Sequence, residues 1–311
     1  MSELDVIIPC RAPAPWLTQA VESCLESSVD GAVWVVDDGS IDASVTETVA
    51  AIGDARVRYL RQAASGPSAA RNTGLRAGCA PWLLYLDADD FLLPGAMASM
   101  LAAAQVNGGV VLAGWRDVSA DGSSILAEHR PPPASNLGAL ADLIRISPPL
   151  GPVLLPRTPI VWDESRRVWE VTRYFNRVAA EIDVLTVLPD CMAAMRQHDS
   201  VTRLSHSQRH FAIDVQTAFW QEEYAWLRSI GEAGDPARYL VAERLLGLAY
   251  AGLRSDEPSA HEAASAILAL AGRERWQAEL RTRIGSAAWI ATRLGATALR
   301  AFARLNLALG R

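Results

Sequence analysis

Residues 85–94 read YLDADDFLLP and place three acids directly after an apolar run. The run over 81–86 is typical of a buried strand, so Asp87, Asp89 and Asp90 crowd its end. Residues i and i+2 of an extended segment project to the same side, so Asp87 and Asp89 can converge while Asp90 points away and is expected to be structural. Two convergent carboxylates suit Mg²⁺ or Mn²⁺, which complete their shell with substrate phosphates and water. A solvated acidic turn explains the same residues equally well.

The chain ahead of this stretch alternates apolar runs with helical patterns. Strands are predicted over 4–9, 32–36, 56–60 and 81–86, and helices over 15–28, 42–52 and within 65–78. The apolar runs are continuous rather than alternating, which argues for a parallel sheet that helices cover on both faces. Ligands bind outside the carboxyl ends of the strands in such sheets. The strand ends PC, DDGS and DADD can therefore line one crevice.

The rest of the chain changes character. A helix is predicted over 94–105, short strands over 109–115 and 123–128, and loops at 129–135 and 147–152. Beyond about residue 210 the pattern is helical throughout, with few strand signals. The sequence therefore predicts a sheet domain over 1–205 and a helical C-terminal region over 206–311.

Two further segments carry polar residues beside strand ends and helix starts. In VVDDGS, Asp37 or Asp38 could accept hydrogen bonds from a base or a ribose, although a turn capped by Ser40 or Asp42 is the ordinary alternative. In SGPSAARNTG, Arg71 lies in the first turns of a predicted helix, where it suits a phosphate or a nucleotide carbonyl. An ordinary surface arginine is the alternative there.

A second concentration of acids lies in DESRRVWEVTRYFNRVAAE, residues 163–181. Glu170 follows an aromatic residue and precedes a helical run. A carboxylate in that place could act as a general base. An acid that complements the helix dipole is the common structural explanation.

The composition narrows the possible functions. The chain has 311 residues and a net charge of -6, which gives no support to nucleic-acid binding. All 29 basic residues are arginine, so chemistry that requires a lysine is excluded. The four cysteines have no CxxC spacing, which argues against a zinc site. No signal-peptide pattern and no apolar run long enough to cross a bilayer occurs, so a cytoplasmic location is expected.

The motifs VIIPC, VVDDGS, GPSAARNTGL and YLDADD stand in the order and spacing of family 2 glycosyltransferases, which the chain resembles over residues 4–205. The resemblance implies the GT-A fold, a Rossmann-like α/β/α sandwich with a mainly parallel sheet. It implies a nucleotide-sugar half over about 1–115 and an acceptor half over about 116–205. It also implies a nucleotide-sugar donor, and a UDP-sugar is expected because UDP-sugars are the commonest donors in the family. The acceptor that it implies is a glycan, a lipid-linked sugar or a small molecule.

The resemblance assigns roles to individual residues. The nucleotide-sugar-binding positions that it implies are Pro9, Arg11, Asp37, Asp38, Gly66, Arg71 and Asp87. Pro9 would lie at the nucleotide base, and Arg11 stands where many members have an aromatic residue. Asp89, with Asp87, would hold Mn²⁺ or Mg²⁺, and His198 of an R-x-H motif could reach the metal or the diphosphate. The implied reaction is an inverting single displacement.

The chain departs from the family at one position. Glu170 matches the first acid of the family's Glu-Asp pair, but Val171 stands where the second acid, the usual catalytic base, is expected. Glu170 is therefore the candidate base, with Asp163 or Glu164 as alternatives. An acceptor that needs less help from a base, or a catalytically weak or inactive relative, would explain the valine too. A nucleotidyltransferase is disfavoured because the loop after the first strand lacks the expected glycine and lysine.

The C-terminal segment 289–311 has its arginines within a narrow arc of one predicted helix face, with apolar residues opposite. That pattern is typical of a membrane-surface helix. A helix packed on the protein with its arginines in solvent explains the pattern as well. The sequence therefore allows a peripheral position at the inner face of the membrane.

Overall fold

The computed structural model describes residues 2–12, 14–26, 29–198 and 212–273. The chain divides into two compact units, Met1–Ser200 and Val201–Arg311. The first unit carries a nine-stranded sheet. The second, where it is described, is helical.

The first unit is an α/β structure whose elements alternate along the chain. Its strands are β1 (Leu4–Cys10), β2 (Gly31–Asp38), β3 (Val57–Gln62), β4 (Trp82–Tyr85), β5 (Phe91–Leu92), β6 (Val110–Val118), β7 (Ile125–His129), β8 (Val153–Pro156) and β9 (Leu185–Arg196). Its helices are α1 (Leu17–Leu25), α2 (Ser44–Ile52), α3 (Pro67–Ala77), α4 (Ala96–Asn107), α5 (Ala139–Ile146) and α6 (Glu170–Glu181). The strands and helices predicted as far as β7 are confirmed, with bounds that differ by a few residues.

The sheet order is β3-β2-β1-β4-β8-β6-β9-β5, and β7 pairs with β6. The four strands β3, β2, β1 and β4 are parallel, as predicted for the nucleotide half. Beyond β4 the sheet is mixed, because β8 is antiparallel to both of its neighbours and β5 and β7 each pair antiparallel. The link from β6 to β7 is a short turn, whereas a parallel pair needs a crossover of a dozen residues or more. The two strands therefore pair antiparallel.

The parallel half is covered on both faces. All seven residues of β1 are buried, which explains the continuous apolar run in the sequence. Val6 and Ile8 belong to the core that α1 and α4 cover. On the other face α3 comes close to β1, because a Cβ at Gly74 would lie 2.6 Å from Ile7 Cγ2. Gly74 thus sets the depth at which α3 lies on the sheet.

Several elements escaped the sequence patterns: β5, α5, β8 and β9. Pro189 interrupts the apolar run of β9, and the pairing of β9 with β6 shifts register beside it. A proline in a strand removes a hydrogen-bond donor and commonly marks such an irregularity. β9 is nevertheless important for the site, because it ends at Arg196.

The second unit contains α7 (Ile213–Ser229), a 3-10 turn (Gly231–Gly234), α8 (Asp235–Arg254) and α9 (Pro258–Arg273). The helical character predicted beyond about residue 210 is confirmed over these residues. The amphipathic segment 289–311 lies outside the described residues. Among the residues that are described, no helix has both the length and the apolar composition needed to cross a bilayer.

Candidate functional site

The parallel strands bring the predicted residues to one edge of the sheet. Pro9 lies opposite Val36, and Cys10 lies opposite Asp37 in the next strand. Pro9 is buried, whereas Arg11, just past the end of β1, is exposed. The carboxyl ends of β1, β2 and β4 therefore lie at the same edge of the sheet.

Asp37 is fully buried at this edge. Its carboxylate accepts hydrogen bonds from the Ser40 backbone N–H at 2.8 Å and the Tyr59 hydroxyl at 2.8 Å. Burial alone would raise the pKa of Asp37, but the hydrogen bonds from Ser40 and Tyr59 and the charge of Arg61 outweigh it. The pKa is therefore lowered, and Asp37 presents a fixed negative charge at the end of β2.

Asp38 holds the loop that leads into α3. It accepts hydrogen bonds from Gln62 Nε2 at 2.8 Å and from the backbone N–H groups of Ser65 at 2.7 Å and Gly66 at 2.8 Å. Gly66 has φ 97°, a conformation that favours glycine. Arg167 donates to the Ser65 carbonyl at 3.1 Å and lies against Gly66, where a Cβ would meet its guanidinium. Asp38 thus shapes the start of α3.

Arg71 connects two acids that are far apart in the sequence. Its Nη2 donates to Asp87 Oδ1 at 3.0 Å, and its Nη1 lies 3.4 Å from Glu170 Oε1. The guanidinium lies over the Trp162 ring, 4.6 Å from the ring centroid. Arg71 is buried rather than on the surface, which removes the ordinary surface alternative. It links the loop that carries Asp87, Asp89 and Asp90, called the acidic loop below, to Glu170, the first residue of α6.

The acids after β4 form one cluster. Oxygens of Asp87, Asp89 and Asp90 lie within 4.8 Å of one another. The backbone N–H of Asp90 donates to the Asp87 carbonyl at 3.1 Å, so the three acids occupy a turn and not an extended segment. The expectation that Asp90 points away is therefore wrong. Its carboxylate also accepts a hydrogen bond from the Arg196 backbone N–H at 2.8 Å, which gives it a structural role as well.

This cluster fits a divalent cation. His198 Nε2 lies 2.9 Å from Asp89 Oδ2, which adds a nitrogen ligand to the carboxylate oxygens. Such a mixed set suits Mn²⁺ or Mg²⁺. Burial raises the pKa of Asp87; Arg71 opposes that rise and the neighbouring Asp89 adds to it. A bound cation would relieve both the crowding of the three carboxylates and the unfavourable ionisation of Asp87.

The structure separates the three candidate bases. Asp163 accepts hydrogen bonds from Ser165, and its other oxygen lies 3.4 Å from Arg173 Nη1. Glu164 accepts a hydrogen bond from Asn72 Nδ2 at 2.8 Å. Both acids therefore hold their own loop in place, against α6 and against α3. Glu170 alone of the three pairs with Arg71.

Val171 lies half-buried in the first turn of α6. The residue before Glu170, Trp169, has φ 61°, which is rare for a bulky side chain. Backbone strain of this kind clusters at functional sites. The conformation directs the chain into α6 at the point where Glu170 meets Arg71.

An aromatic cluster beneath Arg71 was not foreseen. Trp162 stacks on Tyr174 with ring centroids 4.0 Å apart, and Tyr85 meets both rings edge-on. The Asn72 side-chain amide donates to the Trp162 backbone carbonyl and accepts from the Trp162 backbone N–H, as the backbone of a neighbouring strand would. The aromatic residues come from β4, α6 and the loop between β8 and α6, so no local pattern in the sequence groups them.

Solved structures share this fold. The chain matches S. aureus TarS 1-349 in complex with UDP-GlcNAc with a TM-score of 0.58 and 16% identity, over 94% of this chain and 79% of that one. It matches the mannosyltransferase PcManGT from Pyrobaculum calidifontis, in complex with GDP-Man and Mn²⁺, with a TM-score of 0.54 and 16% identity. That match covers 99% of this chain and 88% of that one. The shared fold is that of the GT-A class.

Sequence comparison narrows that class. The family model described as glycosyl transferase family 2 matches residues 5–199, and the chain belongs to that family. The succinoglycan biosynthesis protein ExoO of Rhizobium meliloti (strain 1021) is 35% identical over 126 residues, 40% of this chain and 36% of that protein. An uncharacterized glycosyltransferase of Rickettsia felis is 33% identical over 90 residues, 29% of this chain and 15% of that protein. The chain thus spans about a third or less of these relatives.

Proposed function

We propose that the protein transfers a sugar from a nucleotide-sugar to an acceptor hydroxyl by a metal-assisted inverting displacement. The donor would be a UDP-sugar, the commonest donor in the family. One observation carries the proposal. The cluster of Asp87, Asp89 and Asp90, with His198 against Asp89, follows the carboxyl end of β4, and the buried acids Asp37 and Asp38 end β2 at the same edge of the sheet. The complexes of TarS with UDP-GlcNAc and of PcManGT with GDP-Man and Mn²⁺ support a donor of this class.

The nucleotide would lie at the carboxyl ends of β1 and β2, near the start of α3. Pro9 would border the base, and Asp37 or Asp38 would accept hydrogen bonds from the base or the ribose. Their existing partners are compatible with this role, because each carboxylate oxygen has more than one lone pair. Exposed Arg11 is available to the phosphates, whereas both Nη atoms of Arg71 already face carboxylates. We therefore assign Arg71 to positioning Asp87 and Glu170.

Asp87, Asp89 and His198 would hold Mn²⁺ or Mg²⁺. A cation bound there supplies Lewis-acid stabilisation of the charge that develops on the departing nucleoside diphosphate. Arg71 keeps Asp87 oriented toward the cluster. His198 Nε2 lies 2.9 Å from Asp89 Oδ2, so the neutral imidazole and the carboxylate are close enough to bind one cation. These side chains would fix the diphosphate so that the anomeric carbon faces the acceptor.

Glu170 remains our candidate base. It is the only one of the three candidate acids that pairs with Arg71, and its side chain is 12% exposed. Arg71 holds the Glu170 carboxylate in place at the start of α6, with Nη1 3.4 Å from Oε1. An acceptor whose hydroxyl ionises readily would need little further help from a base.

The acceptor would be a glycan, a lipid-linked sugar or a small molecule. The relatives ExoU and ExoO, both named for succinoglycan biosynthesis, support a role in polysaccharide assembly. A cytoplasmic location and a contact of segment 289–311 with the inner membrane face belong to the same proposal. Both rest on sequence patterns alone.

The decisive experiment compares Asp89→Ala with the wild-type protein. Nucleotide release from a panel of nucleotide-sugars is measured with Mn²⁺ and after chelation, and Asp256→Ala, an exposed acid of the helical unit, serves as the control. We expect Asp89→Ala and chelation to abolish release, and the control to match the wild type. Release by Asp89→Ala at the wild-type rate would refute the metal assignment.

A non-catalytic relative that binds nucleotide-sugars is the second candidate, and Val171 favours it. The same panel separates the two functions. Donor binding, measured by a shift in melting temperature, without turnover of any donor would support the non-catalytic protein.

A further inference from the structure

The structure assigns a positioning role to Arg196, the last residue of β9: we infer that its guanidinium fixes the acidic loop so that Asp89 and His198 can bind one cation. The inference rests on the proposed metal site and extends it to a residue outside the ligand set. Arg196 is fully buried, although arginine is rarely so.

The contacts of Arg196 explain why burial is tolerated. Its Nε donates to the Asp89 carbonyl at 2.9 Å, and its Nη1 donates to the Ala120 carbonyl at 3.0 Å. Its Nη2 donates to the side-chain carbonyl of Gln19 in α1. Each of the three nitrogens thus donates to a different part of the unit: Nε to the acidic loop, Nη1 to the turn between β6 and β7, and Nη2 to α1.

The backbone of Arg196 acts on the same loop. Its N–H donates to Asp90 Oδ1 at 2.8 Å, while its side chain holds the carbonyl of the preceding residue, Asp89. The turn from Asp87 to Asp90 is therefore held both by its internal hydrogen bond and by Arg196. A loop that carries three acids would otherwise be pushed apart by their mutual repulsion.

Arg196 also organises the surroundings of His198, two residues further along the chain. The guanidinium lies 5.4 Å from the Trp16 ring centroid, and the His198 ring lies 4.4 Å from the same Trp16 ring. Trp16 therefore contacts both the arginine and the imidazole. The Asp89 backbone carbonyl and the His198 ring, whose Nε2 lies 2.9 Å from the Asp89 carboxylate, are therefore held by one connected set of contacts.

Partners that orient metal ligands commonly control affinity, and their removal typically weakens metal binding about 10- to 100-fold. A lysine cannot replace the fork of Arg196, because its ammonium is a single point that cannot reach three acceptors in different directions. A merely structural clamp would lower the stability of the fold and leave the affinity for the cation unchanged. The two roles can therefore be separated by measuring both quantities.

The experiment titrates Mn²⁺ alone into the full chain and follows free Mn²⁺ by electron paramagnetic resonance, with melting temperatures recorded beside it. The variants are Arg196→Lys and Gln19→Leu; Gln19 is exposed and provides one acceptor, so its replacement spares the core. Arg76→Lys on the exposed side of α3 is the matched control. Asp89→Ala defines the Mn²⁺ bound at the cluster.

We expect the Kd for Mn²⁺ to rise about 10-fold or more in Arg196→Lys. For Gln19→Leu we expect about threefold, for the loss of one hydrogen bond. The Arg76→Lys control should bind as the wild type does. Wild-type affinity for Mn²⁺ in both Arg196→Lys and Gln19→Leu would overturn the positioning role and leave the proposed function intact. If Arg196→Lys does not fold, the affinity of Gln19→Leu alone decides whether Arg196 has the positioning role. Wild-type protein without Asp89-dependent Mn²⁺ binding would overturn the metal site and this inference together.

Discussion

Replacement of Arg71 by methionine tests how far one buried guanidinium stabilises the site. The change keeps much of the side-chain volume and the contact with Trp162, but it removes the charge that faces Asp87 and Glu170. Two acids then lose an arginine partner in a site that already holds Asp89 and Asp90. We expect the variant to fold, with a lower free energy of unfolding.

The distances set the magnitude. A charge pair at the 3.0 Å between Arg71 and Asp87 has a Coulomb energy of about 5.5 kcal/mol at an effective dielectric constant of about 20. The Asp87 side chain is 39% exposed, so solvent screens much of this energy. Loss of the desolvation cost of the arginine reduces it further. We therefore expect a net loss of about 1 to 3 kcal/mol.

Urea unfolding followed by circular dichroism measures the loss, with Arg76→Met on the exposed side of the same helix as the control. Addition of Mn²⁺ should restore part of the loss in Arg71→Met, because a divalent cation replaces the missing positive charge. A loss within about 0.5 kcal/mol of the control, the range of ordinary surface changes, would refute the reasoning. Equal stabilisation of both variants by Mn²⁺ would refute the link between Arg71 and the cation site.

Two further predictions concern the base and the buried acid of β2. Glu170→Gln should lower kcat about 100-fold, and Val171→Asp in that background should restore at least part of it, because a carboxylate returns to the first turn of α6; unchanged turnover in Glu170→Gln would exclude it as the base. Asp37→Asn should lower stability at neutral pH by about 1 kcal/mol, since a charged acceptor becomes neutral. The pKa of Asp37 is lowered in the fold, so this difference should shrink as the pH falls below the ordinary 3.8, which urea unfolding at several pH values would show. A difference that is constant with pH would contradict it.

The parallel half of the sheet could be predicted because each of its strands is a continuous apolar run between clear turn signals. Gly66 and Pro67 mark the start of α3 in the sequence, and the structure begins the helix there. The strands β8 and β9 carry Pro156 and Pro189, which disturb the strand pattern. Their positions depend on pairing with distant strands, and local preference carries no information about that pairing.

The site divides in the same way. The motifs located the acids, but the assumption of an extended segment misplaced Asp90, since a turn brings all three carboxylates together. The contacts of Arg196 were beyond sequence reasoning, because its partner Gln19 is 177 positions away. The burial of Arg71 was hidden for the same reason: the residues that cover it come from a loop and a helix far along the chain.

The link from Asp87 through Arg71 to Glu170 has a consequence for how such a protein can diversify. Arg71 contacts both the donor side, at Asp87, and the start of α6, at Glu170. A substitution that moves one of these acids would therefore also shift the other. New acceptor preferences would then arise more easily in segments away from Arg71 and Arg196, such as the loop between β7 and α5. Swapping that loop between relatives would disturb the site less than rebuilding α6.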